Sequence, residues 1–189
     1  MRKIALFASG SGTNVENIMT YFEANSIVNQ YLVFVNNPHA KVIEKAEKRN
    51  VPVYIFDKNA LSNGDLAKKL TDFGPDLIVL AGFLWKFPED LVKMYPNQII
   101  NIHPALLPKY GGKGMYGHFV HEAVLANKEQ ESGITIHYVN ENYDEGAIIL
   151  QAKTPIEKQY TAEDIAKAVQ VLEYQHFPKV IEQLLVKTK

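Results

Sequence analysis

Two polar side chains interrupt an apolar run near the middle of the chain, Ile99–Pro104 (IINIHP). Asn101 and His103 are two residues apart, so they project from the same side of a strand. Pro104 cannot donate to a strand ladder and holds the preceding residue extended, which predicts that the strand ends there. An amide donor beside an imidazole can stabilise a developing oxyanion and move a proton. The alternative is that both side chains only satisfy backbone groups of the loop.

A glycine-rich turn, Ser9–Asn14 (SGSGTN), follows the first apolar run and opens a helix-like segment. Backbone N–H groups at a helix start can hold a phosphate when side chains leave room. Thr13 or Asn14 could instead serve only as a helix cap. Val15 stands where a dinucleotide-binding glycine motif needs a small residue, and the second strand ends in Asn36-Asn37 rather than an acid. The turn therefore favours a phosphate monoester over NAD.

Short apolar runs alternate with helix-period segments through the first hundred residues. The predicted strands are Lys3–Ala8, Tyr31–Asn36, Val53–Phe56, Asp76–Ala81 and Gln98–Ile102, and the predicted helices are Asn14–Ala24, Ala40–Arg49, Asp65–Phe73 and Glu89–Met94. This alternation predicts an α/β fold: an open, mostly parallel, Rossmann-like sheet with helices on both faces. Ligands bind such sheets at the carboxyl ends of the strands, where Asn101 and His103 fall. We expect Ser62 or Asn63 to cap the third helix and Gly74 to end it.

The alternation stops after Pro104. A loop over Pro104–Gly117 precedes a predicted helix, two strands and a long last helix, at His118–Ala126, Gly133–Val139, Ala147–Thr154 and Ala162–Leu185. No repeat or low-complexity linker divides the chain. We therefore expect one domain over residues 1–189, with a phosphate-binding half at 1–100 and a catalytic half at 101–189.

Composition narrows the classes of function. The chain has 20 Lys and Arg against 21 Asp and Glu, and no cysteine. A general nucleic-acid binder normally carries a basic surplus, and disulfides, thiol catalysis and Cys-ligated metals all require cysteine. The six histidines have no metal-ligand spacing. The first apolar run is too short for a signal peptide, and no run approaches the ~20 residues of a membrane helix. We expect a cytoplasmic protein with no metal, nucleic-acid or membrane partner.

Several stretches, in order along nearly the whole chain, resemble the phosphoribosylglycinamide formyltransferase family. They are Ser9–Asn14, Leu80–Phe83, Asn101–Lys109 (NIHPALLPK), Gly133–Val139 and Asp144–Gln151 (DEGAIILQ). The resemblance implies the formyltransferase fold, 10-formyltetrahydrofolate as formyl donor, and the amine of glycinamide ribonucleotide as acceptor, in purine synthesis. It also implies direct transfer without a metal.

The resemblance implies a catalytic set of Asn101, His103 and Asp144. Asn101 and protonated His103 would hydrogen-bond the formyl oxygen as negative charge builds on it. The carboxylate of Asp144 would raise the pKa of His103 and collect the proton of the amine through water. His137 alternates along its strand and is expected behind the catalytic group.

The same resemblance implies the binding residues. The ribonucleotide phosphate is expected on Gly12, Thr13 and Asn14, and the ribose near Glu173. The alternative for Glu173 is that it is an ordinary exposed glutamate of the last helix. The folate is expected along two segments that follow strands, with contacts made largely by backbone groups. The expected folate-binding residues are Leu84, Trp85, Lys86, Phe87, Asn101, Asn140 and Tyr143.

Three features depart from the family pattern. Trp85 and Asn63 stand where relatives often carry arginine, and Lys58 or Lys86 could compensate near the glutamate tail of the folate. The loop Tyr110–His118 is long and holds four glycines. It is either a flap over the site or a plain surface loop.

Other functions remain open on the sequence. A formyltetrahydrofolate deformylase uses a similar Asn, His and Asp but normally carries an N-terminal regulatory domain. A methionyl-tRNA formyltransferase has a further C-terminal domain. A non-catalytic phosphometabolite-binding module would not need Asn101, His103 and Asp144 together. A monomer and a homodimer fit the sequence equally.

Overall fold

The computed structural model describes residues 1–187. Its strands are β1 Arg2–Ala8, β2 Asn29–Val35, β3 Val53–Ile55, β4 Leu77–Leu80, β5 Ile99–His103, β6 Glu131–Tyr138 and β7 Ile148–Pro155. Its helices are α1 Thr13–Ala24, α2 Val42–Glu47, α3 Lys58–Ser62, α4 Asp65–Phe73, α5 Glu89–Met94, α6 His118–Ala126 and α7 Ala162–Lys187.

The strands form one sheet in the order β3-β2-β1-β4-β5-β6-β7. The first five strands pair in parallel, whereas β6 runs antiparallel to β5 and β7 antiparallel to β6. The strand order reverses between β1 and β4, and ligands bind open α/β sheets outside such a reversal. The predicted open, mostly parallel sheet is confirmed.

The sheet is buried on both faces. Central strands β1 and β4 are therefore almost continuously apolar, as strands covered on both sides must be. One core cluster joins one face of the sheet to α1, α6 and α7, and the other joins the opposite face to α4 and α5. In the second cluster Phe7 stacks on Phe34 with ring centroids 4.6 Å apart, and Phe83 and Phe87 meet the same ring edge-on.

The structure differs from the sequence prediction around α3. The short helix Lys58–Ser62 was not predicted, and its N-terminus is capped by Asp57, whose Oδ1 accepts a hydrogen bond from the Ala60 N–H at 3.0 Å. The prediction that Ser62 caps α4 is wrong, because Ser62 belongs to α3. Gly64 occupies the N-cap position of α4, and the Asn63 side chain accepts from the Asp65 N–H at 2.9 Å. Gly74 ends α4 with a φ of 64°, as expected.

Gly12 is fixed by both its backbone and its neighbours. Its φ is 67°, and a Cβ there would overlap the side chain of Val42 and lie 2.8 Å from the Val42 Cα. We expect Gly12→Ala to lower the free energy of unfolding by about 2–4 kcal/mol, measured by urea denaturation. Gly10→Ala is the matched control, because a Cβ at Gly10 would meet nothing within 4 Å. Equal losses in the two variants would contradict the packing argument.

Within residues 1–187, no helix is long and apolar enough to cross a membrane.

Candidate active site

A cavity of about 620 Å³ opens where the carboxyl ends of β1, β4 and β5 meet. Its walls come from the glycine turn after β1, the loop after β4, the end of β5, the loop before α6 and one side of α7. It therefore lies at the reversal of strand order.

β5 carries Asn101 and His103 into this cavity. The Asn101 Nδ2 lies 3.5 Å from Oδ1 of Asp144, and the His103 Nδ1 lies 3.6 Å from its Oδ2. Asp144 sits in the loop between β6 and β7, 43 residues from Asn101 along the chain. The fold therefore gathers the three expected catalytic side chains at one place.

The ring of His137 lies behind this group and is almost completely buried. Its Nδ1 is 2.8 Å from the Tyr138 carbonyl, which can only accept, so Nδ1 carries hydrogen. Its Nε2 lies 3.2 Å from the Asn101 Nδ2 and 3.6 Å from the Asp144 Oδ1. The Asn101 amide is thus held between the His137 ring and the Asp144 carboxylate, to which its Nδ2 donates at 3.5 Å.

Asp144 is held as a carboxylate. Burial opposes its ionisation, but hydrogen bonding with His137, the charge of His103 and the Gly112 N–H at 2.9 Å together keep the pKa of Asp144 below its ordinary value. Its backbone has a φ of 55°, in the left-handed region that aspartate tolerates better than most residues. A negative charge therefore faces both histidines near neutral pH.

His103 departs from the sequence expectation. Burial lowers the pKa of the ring more than the neighbouring Asp144 raises it, so the net direction is downward. Asp144 does raise the pKa of His103, as expected, but the sequence alone did not predict the opposing and larger effect of burial, which depends on the fold. The Nε2 of His103 lies 2.7 Å from the Tyr110 carbonyl and therefore carries hydrogen.

The glycine-rich loop lies directly on the catalytic group. Besides the bonds of Tyr110 to His103 and of Gly112 to Asp144, a Cβ at Gly111 would come within 3.3 Å of the Asp144 Cβ. Residues 112–118 line the cavity. The loop is thus part of the site wall in this structure rather than a surface loop apart from it.

Two of the four expected ribonucleotide residues, Asn14 and Glu173, meet at the cavity. Asn14 is buried and donates from Nδ2 to the Glu173 Oε2 at 2.9 Å, while its own Oδ1 has no hydrogen-bond partner. Both residues line the cavity. Gly12 and Thr13 are not among the residues that line it; Gly12 is the N-cap of α1 and Thr13 its first residue. Glu173 is therefore not a plain exposed helix glutamate.

Glu173 should make the protein less stable as pH rises. Burial raises its pKa from 4.5 to about 7. Between those values the folded protein keeps a proton that the unfolded chain has released, so the free energy of unfolding falls as pH increases through that window. The displacement corresponds to about 3–4 kcal/mol.

Glu173→Gln replaces this titrating carboxyl group with a neutral amide. Urea denaturation of the variant and the parent at several pH values tests the prediction. The variant should be more stable than the parent at about pH 8, with the difference shrinking towards about pH 5. Glu163→Gln, on the exposed side of the same helix, is the control. Parallel stability curves for Glu173→Gln and the parent would contradict the assignment.

The expected folate-binding residues divide into two groups. Leu84, Asn101 and Tyr143 line the cavity. The side chains of the remaining members lie elsewhere: Trp85 lines a separate hollow, Lys86 pairs with Glu89 at 2.8 Å, Phe87 is buried against Phe7, and Asn140 accepts from the Asn142 N–H at 3.0 Å. For these four, only backbone contact with a folate remains as the prediction.

The residues that replace the arginines have their own partners. Trp85 packs edge-on against Phe56 with centroids 6.1 Å apart, and the Lys58 ammonium lies 5.8 Å from the centre of its ring. Asn63 donates to Asp65 at 2.8 Å. Of the two lysines expected to compensate, Lys58 is the one placed beside Trp85.

Sequence reasoning did not single out two contributors. The Ser9 Oγ accepts a hydrogen bond from the Leu84 N–H at 2.9 Å and so ties the glycine turn to the loop after β4. Gln170 lines the cavity three residues before Glu173, and helical periodicity from Glu173 could have found it. His118 and His121 also line the cavity. Among residues 1–187, no group of three or more His, Asp or Glu is placed to hold a metal ion.

Nearly the whole chain matches a known protein family. The formyl transferase family matches residues 2–181. The chain belongs to this family. A phosphoribosylglycinamide formyltransferase of Bacillus subtilis is 37% identical over 191 residues, covering 98% of this chain and 95% of the relative. The resemblance predicted from the sequence is confirmed.

Other members differ in length and are similar in structure. The chloroplastic phosphoribosylglycinamide formyltransferase of Arabidopsis thaliana is 38% identical over 95% of this chain, which spans only 64% of that relative. This chain spans 61% of the corresponding protein of Vigna unguiculata. The phosphoribosylglycinamide formyltransferase structure from Bacillus halodurans superposes with a TM-score of 0.89 at 31% identity, covering 100% of this chain and 97% of that one.

Proposed function

We propose that this chain transfers the formyl group of 10-formyltetrahydrofolate to the amine of glycinamide ribonucleotide in de novo purine synthesis. The observation that carries the proposal is the meeting of Asn101, His103 and Asp144 at one end of a 620 Å³ cavity. The names of family members, phosphoribosylglycinamide formyltransferases of Bacillus subtilis and Escherichia coli among them, support this choice of reaction.

The reaction needs an oxyanion site and a path for one proton. The amine nitrogen attacks the formyl carbon, the bond from that carbon to the folate nitrogen breaks, and the proton lost by the amine ends on the folate nitrogen. Negative charge builds on the formyl oxygen, where the Asn101 Nδ2 and the His103 Nε2 donate hydrogen bonds. The Tyr110 carbonyl accepts a hydrogen bond from that His103 nitrogen at 2.7 Å in this structure. The formyl oxygen therefore replaces the Tyr110 carbonyl as the acceptor when the substrate binds.

Asp144 serves both partners of this arrangement. Its carboxylate stabilises the charged form of His103 against the cost of burial. Because its pKa is low, it is ionised and able to receive the amine proton through water before that proton reaches the folate. We place it as the proton relay and as the group that tunes His103, with His137 orienting the Asn101 amide.

Binding both substrates in one cavity supplies the remaining rate enhancement, because it removes the entropic cost of bringing them together. The ribonucleotide lies with its phosphate at Gly12, Thr13 and Asn14 and its ribose hydroxyls at Glu173. The folate lies against Leu84–Phe87, Asn140 and Tyr143. The contact between Asn14 and Glu173 means that the two halves, 1–100 and 101–189, build the ribonucleotide site jointly.

The proposal extends to the setting of the reaction. Residues 1–189 act as one domain, as a monomer or homodimer in the cytoplasm, on small molecules, with no metal, nucleic-acid or membrane requirement. The single sheet that runs from β1 to β7 supports the one-domain assignment.

The test is to incubate the purified protein with 10-formyltetrahydrofolate, with and without glycinamide ribonucleotide, and to follow release of tetrahydrofolate. We expect turnover only with the ribonucleotide present. Release of tetrahydrofolate and formate without it would make the protein a deformylase. No turnover in either mixture would contradict both enzymatic functions and favour a non-catalytic protein that binds a phosphorylated metabolite.

A further inference from the structure

The cavity holds little positive charge for a substrate that carries a phosphate. Its described lining includes the Asp144 carboxylate, the Glu173 carboxyl group, whose pKa of about 7 leaves it partly ionised, and one side chain of the Lys or Arg type, Lys113. Burial lowers the pKa of His103 and of His121, so these rings contribute little positive charge near neutral pH. A phosphate dianion bound there would face carboxylates without a matching cation unless Lys113 takes part.

Lys113 is available for such a role. Its side chain is exposed, lines the cavity, and makes no hydrogen bond or ion pair within residues 1–187. Several other exposed lysines are paired, among them Lys86 with Glu89 and Lys109 with Glu129. An unpaired ammonium at the wall of an acidic cavity is the complement of an anionic substrate.

The glycines on both sides of Lys113 give its backbone room to change conformation. Gly112 and Gly114 have φ values of 91° and 90°, and a Cβ at either would meet nothing within 4 Å. The loop is anchored just before this point by the bond from the Gly112 N–H to Asp144 at 2.9 Å. The lysine thus lies between a fixed point at the catalytic group and open space above the cavity.

We propose that Lys113 is the cation that pairs with the phosphate of the ribonucleotide, opposite the N–H groups of the glycine turn before α1. The inference rests on the proposed function and adds to it a binding residue carried by the long loop. A helix start and a lysine together neutralise a phosphate better than N–H groups alone, because the ammonium adds a full charge to partial ones.

Steady-state kinetics of Lys113→Gln tests the proposal. We expect the KM for glycinamide ribonucleotide to rise about tenfold, with kcat and the KM for 10-formyltetrahydrofolate little changed. Lys113→Arg should keep the KM within about threefold, because the charge is retained. Lys158→Gln, an exposed lysine in the turn between β7 and α7, is the matched control and should behave as the parent.

Isothermal titration with inorganic phosphate separates this proposal from the function it rests on. The parent and Lys158→Gln should bind phosphate about tenfold more tightly than Lys113→Gln, whether or not the protein turns over. A rise in the folate KM alone would overturn the proposal by pairing Lys113 with the folate carboxylates. Equal phosphate affinity in all three proteins would also overturn the proposed role of Lys113. Absence of turnover in the parent would contradict only the proposed reaction.

Discussion

Asp144→Asn should lower kcat for formyl transfer by about a thousandfold, the scale of losing a general acid–base group. The amide cannot accept the amine proton, and it removes the charge that favours protonated His103 across the 3.6 Å gap. It keeps the size of the side chain and one acceptor oxygen for the Gly112 N–H. The KM for the ribonucleotide should stay within about threefold, because the proposed phosphate site is on the glycine turn after β1 and does not include Asp144.

The measurement is steady-state kinetics of the variant beside Asp164→Asn. Asp164 is an exposed carboxylate at the start of α7, bonded to Thr161, and its amide variant should turn over as the parent does. Circular dichroism of both variants checks that they are folded. A parental kcat in folded Asp144→Asn would remove Asp144 from the mechanism.

Asn101→Leu should lower kcat by about a hundredfold to a thousandfold, because it removes one donor to the formyl oxygen. Leucine keeps the branching of asparagine at Cγ without its hydrogen-bonding groups, so it also deprives the buried His137 Nε2 of its 3.2 Å partner. The free energy of unfolding should therefore fall by about 1–3 kcal/mol. Single-turnover rates with saturating substrates measure the chemical loss apart from binding.

The double variant Asn101→Leu/Asp144→Asn distinguishes joint from independent action. If the two residues serve one transition state, the combined loss should be well short of the product of the single losses. Asn127→Leu, at the exposed end of α6, is the control for replacing an asparagine. Losses that multiply fully would mean that the two residues act in separate steps.

Much of the fold and the core of the candidate site were predictable from sequence because they depend on local patterns. Continuous apolar runs marked the buried strands, and Gly74 marked the end of α4. The spacing of Asn101 and His103, followed by a proline, placed both at the mouth of a strand. The role of Asp144 came only through the family resemblance, since no local pattern links it to residues 43 positions away.

What escaped prediction depends on tertiary packing. The five-residue helix α3 has no periodic pattern of its own and relies on the Asp57 cap. The downward shift in the pKa of His103 follows from burial by the loop and helices around it, which outweighs the nearby carboxylate. The sequence also did not show that the Trp85 ring packs on Phe56 and Phe83, and its predicted folate contact is now limited to the backbone. Each of these features depends on contacts between residues that are distant in the sequence, which local patterns do not show.

The most direct test of the central claim follows the formyl carbon itself. The protein is mixed with 10-formyltetrahydrofolate labelled with carbon-13 in the formyl group, glycinamide ribonucleotide and excess unlabelled formate, and the products are analysed by mass spectrometry. Direct transfer predicts that the ribonucleotide product carries the label fully and that no labelled formate is released. Labelled formate with an unmodified ribonucleotide, or a product diluted by the unlabelled formate, would contradict direct transfer at this site.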